Sequence, residues 1–539
     1  MKPNDPAAAR AYHERTKHSP ESVQTNAHRL DWAIQPLPFK IYETLEPIAL
    51  PRELAAISMP TLDALAGRAE GASGMDSGGA GERARARTIP DVGQLARLFH
   101  YSAGITKERV YSGGQRFYFR AAACTGALYH IDLYLVCGDV PGLEAGVYHF
   151  GPHDFALRRL RAGDHRGALV HATASEPSVA HAPAVVVCAS TFWRNAWKYQ
   201  ARAYRHCWWD SGTLLAHLLA TASAEGLPSR VVLGFVDRDV NALLGLDGRK
   251  EVSLALVSLG FDDAAVPPNP RELDPLAYAT TPLSPREVDY PAIVEMHAAS
   301  SLADPDSVRA WRDAEENVAS NDMQDAEAAE CANDVTALTP LAEPPAEPLG
   351  RTITKRGSTR QFAHEPISFA ELSTLLERSM APIEFDFRPA GRPTLDDVYL
   401  IVNCMDGLPS GSYALLEPKD PGARASVSRL REGTFRREAG FLGLGQELPA
   451  DAAVDAYFLS SLDRVLARYG ARGYRAAQLE AAIHGGRMYL ASYALGLGAT
   501  GLTFFDDDVT NFFSPHAAGK AVMFLVALGK SRKRKSRVG

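Results

Sequence analysis

LEAGVY at residues 143–148 and LPSGSY at residues 408–413 set Leu, Gly and Tyr in the same register twice, 265 positions apart. Upstream, Tyr134 and Leu135 match Tyr399 and Leu400 at that same spacing. Downstream, Tyr204-Arg205 matches Tyr474-Arg475 and Gly226-Leu227 matches Gly496-Leu497, both 270 apart. Phe235, Asp237, Asp239 and Val240 then match Phe504, Asp506, Asp508 and Val509, and LVSLG at 256–260 matches LVALG at 525–529, all at 269. Chance supplies isolated pairs of common residues; three colinear blocks point to a duplicated unit.

Each copy reads as a strand (133–137; 398–404), a turn and a long helix (195–225; 473–495). A second strand (231–236; 500–505) and a closing apolar strand (254–259; 521–528) follow. Short strands and long helices without regular alternation predict an α+β fold, a mixed sheet flanked by helices, rather than a doubly wound parallel sheet. Residues 67–81 are rich in Gly, Ala and Ser and read as a flexible loop. Residues 301–350 hold twelve Asp or Glu against two Arg, with prolines at 340, 344, 345 and 348, and read as an acidic linker with room for a short helix. The expected organisation is an N-terminal extension (1–87) and a first domain (88–265), then a connecting segment (266–349) whose acidic linker covers 301–349. A second domain (350–532) and a basic tail (533–539) complete it.

A chain of 539 residues exceeds one ordinary domain. An apolar fraction of 46% suits globular domains, and a net charge of −7 gives no bulk attraction for nucleic acid or an anionic membrane. No apolar run approaches a membrane-spanning length, and residues 1–10 lack the apolar core of a secretion signal. Six cysteines lie without CxxC or Cys/His spacing, so neither disulfides nor a structural metal is expected, and a cytoplasmic location is.

RGSTRQF at 356–362 puts Arg356, Ser358 and Arg360 at alternate positions ahead of a helical segment. Guanidinium groups bind phosphate oxygens through paired donors and Ser adds a hydroxyl, so the trio reads as a phosphate clamp or, more simply, as a solvated basic turn. Lys530 and Arg532 follow directly on the last strand and fit the same phosphate. Asp237 and Asp239, with residues 506–508, read as caps or turns at strand ends, with no metal role.

RGSTR, GLGATGL at 496–502 and the terminal LVALGKSR together resemble the nitroreductase family. The resemblance implies FMN-binding α+β domains that pair with flavin at their interface. Here the pair becomes an intrachain pseudo-dimer, complete as a monomer or pairing again as a homodimer. It implies that Arg356, Ser358 and Arg360, with Lys530 and Arg532, hold the FMN phosphate, and that Gly498, Thr500 and Gly501 lie along the isoalloxazine.

In the first half, RAAACTGALYH at 120–130 resembles the RAAPSAGALYP loop of the SagB/ThcOx branch, as do WKYQARAYR at 197–205 and NALLGLDG at 241–248. That likeness implies that Cys124, Thr125, Gly126, Ala127 and Leu128 cover a flavin clamped by the second half, and that Lys198 and Tyr199 are catalytic. On one helix, Lys198, Arg202 and Arg205 would share a face, and burial with like charge would tune the lysine as a base. The chain departs from the branch with Ala123-Cys124 for Pro-Ser and His130 for the closing Pro. Cys124 then reads as a small packing residue or a redox-active thiol, and His130 as a loop residue or an acid/base. The complementary site lacks its parts: PAGRPTLDD at 389–397 replaces the small-residue loop, and Arg15 and Lys17 are the only substitutes for the clamp.

The expected activity is that of an FMN-dependent dehydrogenase or oxidase. It would act on a peptide or peptide-like biosynthetic intermediate such as an azoline, return electrons to oxygen, and work beside other biosynthetic enzymes. An NAD(P)H-dependent nitro or quinone reductase, and a flavin-free scaffold subunit, are the alternatives.

Overall fold

The computed structural model describes residues 4–67, 86–110, 114, 116–268, 273–314, 334–388, 392–418 and 422–532. Within the first half, IDLYLVC (Ile131–Cys137) and AVVVCAST (Ala184–Thr191) are buried along their whole length. Such runs fit the middle of a sheet covered on both faces. The sheet orders its strands as Pro47–Ala49, Ala156–Ala162, Gly146–Gly151, Ile131–Cys137, Ala184–Thr191, Glu251–Leu259 and Ser229–Val232. The second half repeats that order with Val335–Ala337, Ser426–Glu432, Gly411–Leu416, Asp396–Val402, Val454–Ser460, Ala521–Gly529 and Gly498–Gly501. Duplication is therefore visible in topology as well as in sequence, and the fold is α+β with two tandem domains paired inside one chain.

Two details differ from the sequence reading. All the ladders inside the two seven-stranded sheets are antiparallel. Parallel pairing lies outside those sheets: Ile367–Ser368 pairs with Met405–Asp406 inside the second half, and between halves Phe385 bridges Val231, with Val231 N donating to Glu384 O at 2.9 Å. Periodicity marks which residues are strands but not the direction of their neighbours. The three-residue edge strands Pro47–Ala49 and Val335–Ala337 lie outside the stretches 88–265 and 350–532. They are too short for a periodic signal.

The helices Ala203–Ala224 and Leu462–Ala494 are buried on nearly all sides and cross at the centre of the molecule. Their crossing is reciprocal. A Cβ on Gly212 would stand 2.4 Å from Ala482 Cβ, and one on Gly486 would stand 2.7 Å from Ala216 Cβ. Both glycines are needed for this approach, and each contact joins two positions related by the same 270-residue shift that relates the halves. The single helix expected at 195–225 is broken: Phe192–Tyr199 ends at Gln200 (φ 52°, ψ −140°) before Ala203–Ala224 begins. Its counterpart, Leu462–Ala494, is kinked at Gly470 (φ 63°).

Two buried ion clusters join the halves. Asp506 accepts from Arg205 at 2.5 Å and from Arg202 at 3.0 Å; Asp237 accepts from Arg472 at 2.6 Å and Arg475 at 2.7 Å. Burial alone would raise the Asp237 carboxyl, but Arg472 and Arg475 outweigh it and bring it down to about 2. Burial is likewise overcome at Asp506, where Arg202 and Arg205 hold the carboxyl far below its ordinary range. Both aspartates open helices, Asp237–Leu244 and Asp506–Phe513, yet their weight lies in these ion pairs rather than in capping.

The clusters also extend the repeat. Arg205 Nη2 donates to His13 O (2.8 Å) and Nε to Thr16 Oγ1 (3.1 Å), while Arg475 makes the same bonds to His297 O (2.7 Å) and Ser300 Oγ (2.8 Å). The helices Pro6–Arg15 and Pro291–Ala299 are thus counterparts, at a shift of 284 that aligns too few identical residues to be read from sequence.

In the acidic stretch, Pro305–Arg312 is helical. Residues 315–333, the Gly-rich loop beyond Gly67 and the basic tail 533–539 lie outside the described residues. No helix among the described residues is long and apolar enough to cross a membrane.

Candidate active site

The loop of residues 120–130 leaves the hairpin Ile105–Val110/Arg116–Arg120 and enters strand Ile131–Cys137 through a strained path. Gly126 (φ 63°), Ala127 (φ 54°) and Tyr129 (φ 48°) are all left-handed, a conformation that costs ordinary residues about 1 kcal/mol or more. Asp210, on the buried helix Ala203–Ala224, compensates. It accepts from Thr125 N (2.8 Å), Thr125 Oγ1 (2.8 Å) and Cys124 Sγ (3.1 Å), and pairs with His130 Nε2 at 2.9 Å. His130 Nδ1 in turn meets Ser190 Oγ at 2.9 Å.

These bonds engage both Cys124 and His130. Burial, and then the charge of Asp210, push the Cys124 thiol well above its usual range, in keeping with its role as donor to that carboxylate. His130 is buried in the same network. Cys124, His130 and Asp210 bring an Sγ, an imidazole nitrogen and a carboxylate oxygen within 4.8 Å of one another, but those atoms are engaged with each other.

Tyr199 stands over this loop. A Cβ on Gly126 would come within 2.9 Å of the Tyr199 hydroxyl, so only glycine admits the ring there. The phenol is raised above its ordinary value by burial, then by Asp210 and Cys124, while Arg360 of the second half pulls the other way. Lys198 is exposed, with Nζ 5.3 Å from the Tyr199 ring centroid. It does not share a helix face with Arg202 and Arg205, because the break at Gln200 intervenes and both arginines turn inward to Asp506.

The second half supplies the opposite wall. Phe362 bridges Ser531 in antiparallel fashion, with Ala363 N donating to Lys530 O and Arg532 N to Gln361 O, both at 2.9 Å. This pairing draws Arg360, Lys530 and Arg532 to one edge. Arg360 and Arg532 are exposed, and Lys530 lies 4.0 Å from Glu365. Arg356 is differently placed: its Nε donates to Ala121 O at 2.8 Å and its Nη2 to Arg120 O at 3.4 Å. One guanidinium of half two is thereby fastened to the loop of half one. Gly498 permits the close approach of Ser531 Oγ and Thr359 Oγ1, each of which would lie 2.2 Å from a Cβ there, and Thr500 is buried in the strand Gly498–Gly501.

Tyr489 on the long helix of half two meets Ser358 Oγ at 3.5 Å, accepts from Gly501 N and lies under the Arg356 guanidinium. Asp210 and Tyr489 are the residues that the sequence reading missed. An acid inside HCWWDSGTLLAHLLA was a usable signal for Asp210; a tyrosine in an apolar helix offered none.

The family model of the nitroreductases matches residues 121–261 and 353–530. The chain belongs to the nitroreductase family. A candidate nitroreductase of Anabaena variabilis, known from a crystal structure, is 27% identical with a TM-score of 0.72, over 97% of this chain and 99% of that one. A candidate nitroreductase of Methanocaldococcus jannaschii is 26% identical over 167 residues, 31% of this chain and 79% of that protein. The likeness to the cyanobacterial protein thus runs through both halves of this nitroreductase-family chain.

The complementary corner is built differently. Glu480 occupies the position of Asp210 under the 270-residue shift and likewise accepts from its loop, at Leu395 N (2.8 Å). It also holds Arg388 in a two-pronged buried ion pair, whose other prong measures 3.0 Å. Arg15 and Lys17 do not form a clamp: Arg15 faces Glu295 at 3.6 Å, and Lys17 pairs with Glu14 (2.7 Å) and Asp507 (2.8 Å). In half one Thr88 bridges Phe261 beyond the last strand, and Arg87 beside it is paired with Asp262 at 3.0 Å.

Proposed function

We propose that this nitroreductase-family protein binds one FMN between its halves and is an FMN-dependent dehydrogenase of the SagB/ThcOx kind. The observation that carries the reading is the Arg356 side chain, which links the clamp of half two to the loop carbonyls of half one and makes them one surface. The donor set suits the group: Arg356, Ser358, Arg360, Lys530 and Arg532 offer guanidinium, hydroxyl and ammonium donors that would hold a phosphate, while Gly498, Thr500, Gly501 and residues 124–128 would flank the ring. FMN, when bound, supplies a hydride acceptor.

Removing hydrogen from a C–N or C–C bond also requires a proton to leave. Tyr199, seated over the loop at Gly126, and Lys198, with Nζ 5.3 Å from its ring centroid, are the pair that orients the substrate and carries that proton transfer. The substrate class is a peptide or peptide-like intermediate such as an azoline, with oxygen as electron acceptor and other biosynthetic enzymes as partners. The specific support for this class is the likeness of residues 120–130 and 197–205 to that branch. Family membership alone equally accommodates an NAD(P)H-dependent nitro or quinone reductase.

Anaerobic mixing separates the two. Bleaching of the bound flavin by candidate peptides, with NAD(P)H inert, is expected; rapid bleaching by NAD(P)H with peptides inert overturns the dehydrogenase reading in favour of the reductase. Lys198→Ala retains the yellow colour and loses roughly 100-fold or more in turnover.

A further inference from the structure

We infer that Asp210 is a positioning residue that locks the 120–130 loop into the shape the composite site requires. The loop contains three left-handed residues, two of them not glycine, and an unsupported chain would leave that path. Four contacts converge on one carboxylate: both donors of Thr125, the Cys124 thiol and the His130 imidazole. One turn further along the helix, Thr213 Oγ1 donates to Ala123 O at 2.8 Å and adds a second tether from the same element. The lock faces the functional side directly, since Gly126, which it seats, touches Tyr199. The Arg356 bond to Ala121 O holds the loop's other end from half two.

The second half provides an internal comparison. Glu480, at the equivalent helical position, grips its own loop through Leu395 N but is paired with Arg388. The acid at this position is thus a loop holder in both halves, and only in half one is its whole carboxylate committed to a small-residue loop. The consequence for catalysis rests on the FMN reading above, whereas the lock itself is tested without any flavin.

The test is alkylation of the full-length protein by iodoacetamide, with each cysteine followed by mass spectrometry, in the presence and absence of added FMN. Cys124 is held by the lock; Cys188 and Cys207 are buried in the core of the same half, and the half-exposed Cys404 of the other half serves as the rate reference. In Asp210→Asn, Cys124 is expected to react at least about tenfold faster than in the native protein, through loss of the neighbouring carboxylate charge as well as loosening of the loop, and Thr125→Ala, which keeps that charge, isolates the loosening. Cys188 and Cys207 should stay unreactive and the rate at Cys404 unchanged. Thr125→Ala, which removes one donor, should give a smaller rise and serves if Asp210→Asn does not fold. Unchanged Cys124 reactivity in the folded variants, or labelling of Cys188 and Cys207 in step with Cys124, overturns the assignment. If Cys124 is released in the variants as expected while the native protein takes up no FMN, the lock stands and the flavin reading falls.

Discussion

Arg205 of the first half donates to Asp506 of the second at 2.5 Å, wholly out of water, and Arg475 repeats that bond to Asp237 in the opposite direction at 2.7 Å. The halves are therefore fastened by two copies of one charged cluster. Removing the acid from either leaves two guanidinium groups buried without a counter-charge, a change worth about 3–5 kcal/mol. Asp506→Ala and Asp237→Ala should each lower the free energy of unfolding by that amount, and by similar amounts, in urea titrations. A loss below about 1 kcal/mol, the size of a surface pair, would remove these clusters from the account.

Acid should act on the same contacts. Both carboxyls are depressed in the folded chain, so their contribution is present above the ordinary aspartate value, about 3.9, and is lost as pH falls through the depressed values. For Asp237 that window extends down to about 2. Stability measured from pH 7 downward should hold its Asp237 component until near pH 4 and lose it below, and Asp237→Asn should flatten that limb. A component lost between pH 5 and 7 would contradict the assignment.

Gln200 adopts a backbone conformation that suits glycine (φ 52°, ψ −140°), and its counterpart Gly470 is glycine already. Gln200→Gly should therefore stabilise the protein by about 1 kcal/mol despite glycine's greater freedom when unfolded. The melting temperature reports it, and a destabilised variant would show that the side chain, which accepts from Asn26 Nδ2 at 3.0 Å, outweighs the strain.

Arg360 is the exposed arginine of the clamp, whereas Arg356 is also tied to the first half. Arg360→Ala should weaken FMN binding about 10- to 100-fold with stability unchanged, the scale of one charge-assisted bond. Arg356→Ala should weaken binding and lower stability together. Fluorescence titration with FMN and thermal melts separate the two outcomes, and equal behaviour of the variants would contradict the different placements.

The duplication, the α+β class and the pairing of halves were legible in sequence, because long buried strands and paired LEAGVY/LPSGSY blocks survive in recognisable form. The N-terminal counterparts were not, because His13 and His297 are matched through backbone carbonyls that any residue supplies. Motif reading singled out Arg356, whose guanidinium is tied to the carbonyls of Arg120 and Ala121 at the head of the small-residue loop. It misjudged the surroundings of Lys198, since a helix drawn straight through Gln200 puts Arg202 and Arg205 on the wrong side. Asp210 stayed hidden for a related reason: its partners are loop atoms whose position only the folded helix defines.

We propose one flavin site per chain, formed by half two's clamp and half one's loop, with Arg388 and Glu480 paired in the opposite corner. The most direct measurement is the FMN content of the full-length protein after saturation and desalting, from flavin absorbance against protein concentration by amino-acid analysis. One FMN per chain is predicted; none, or two, would contradict the account.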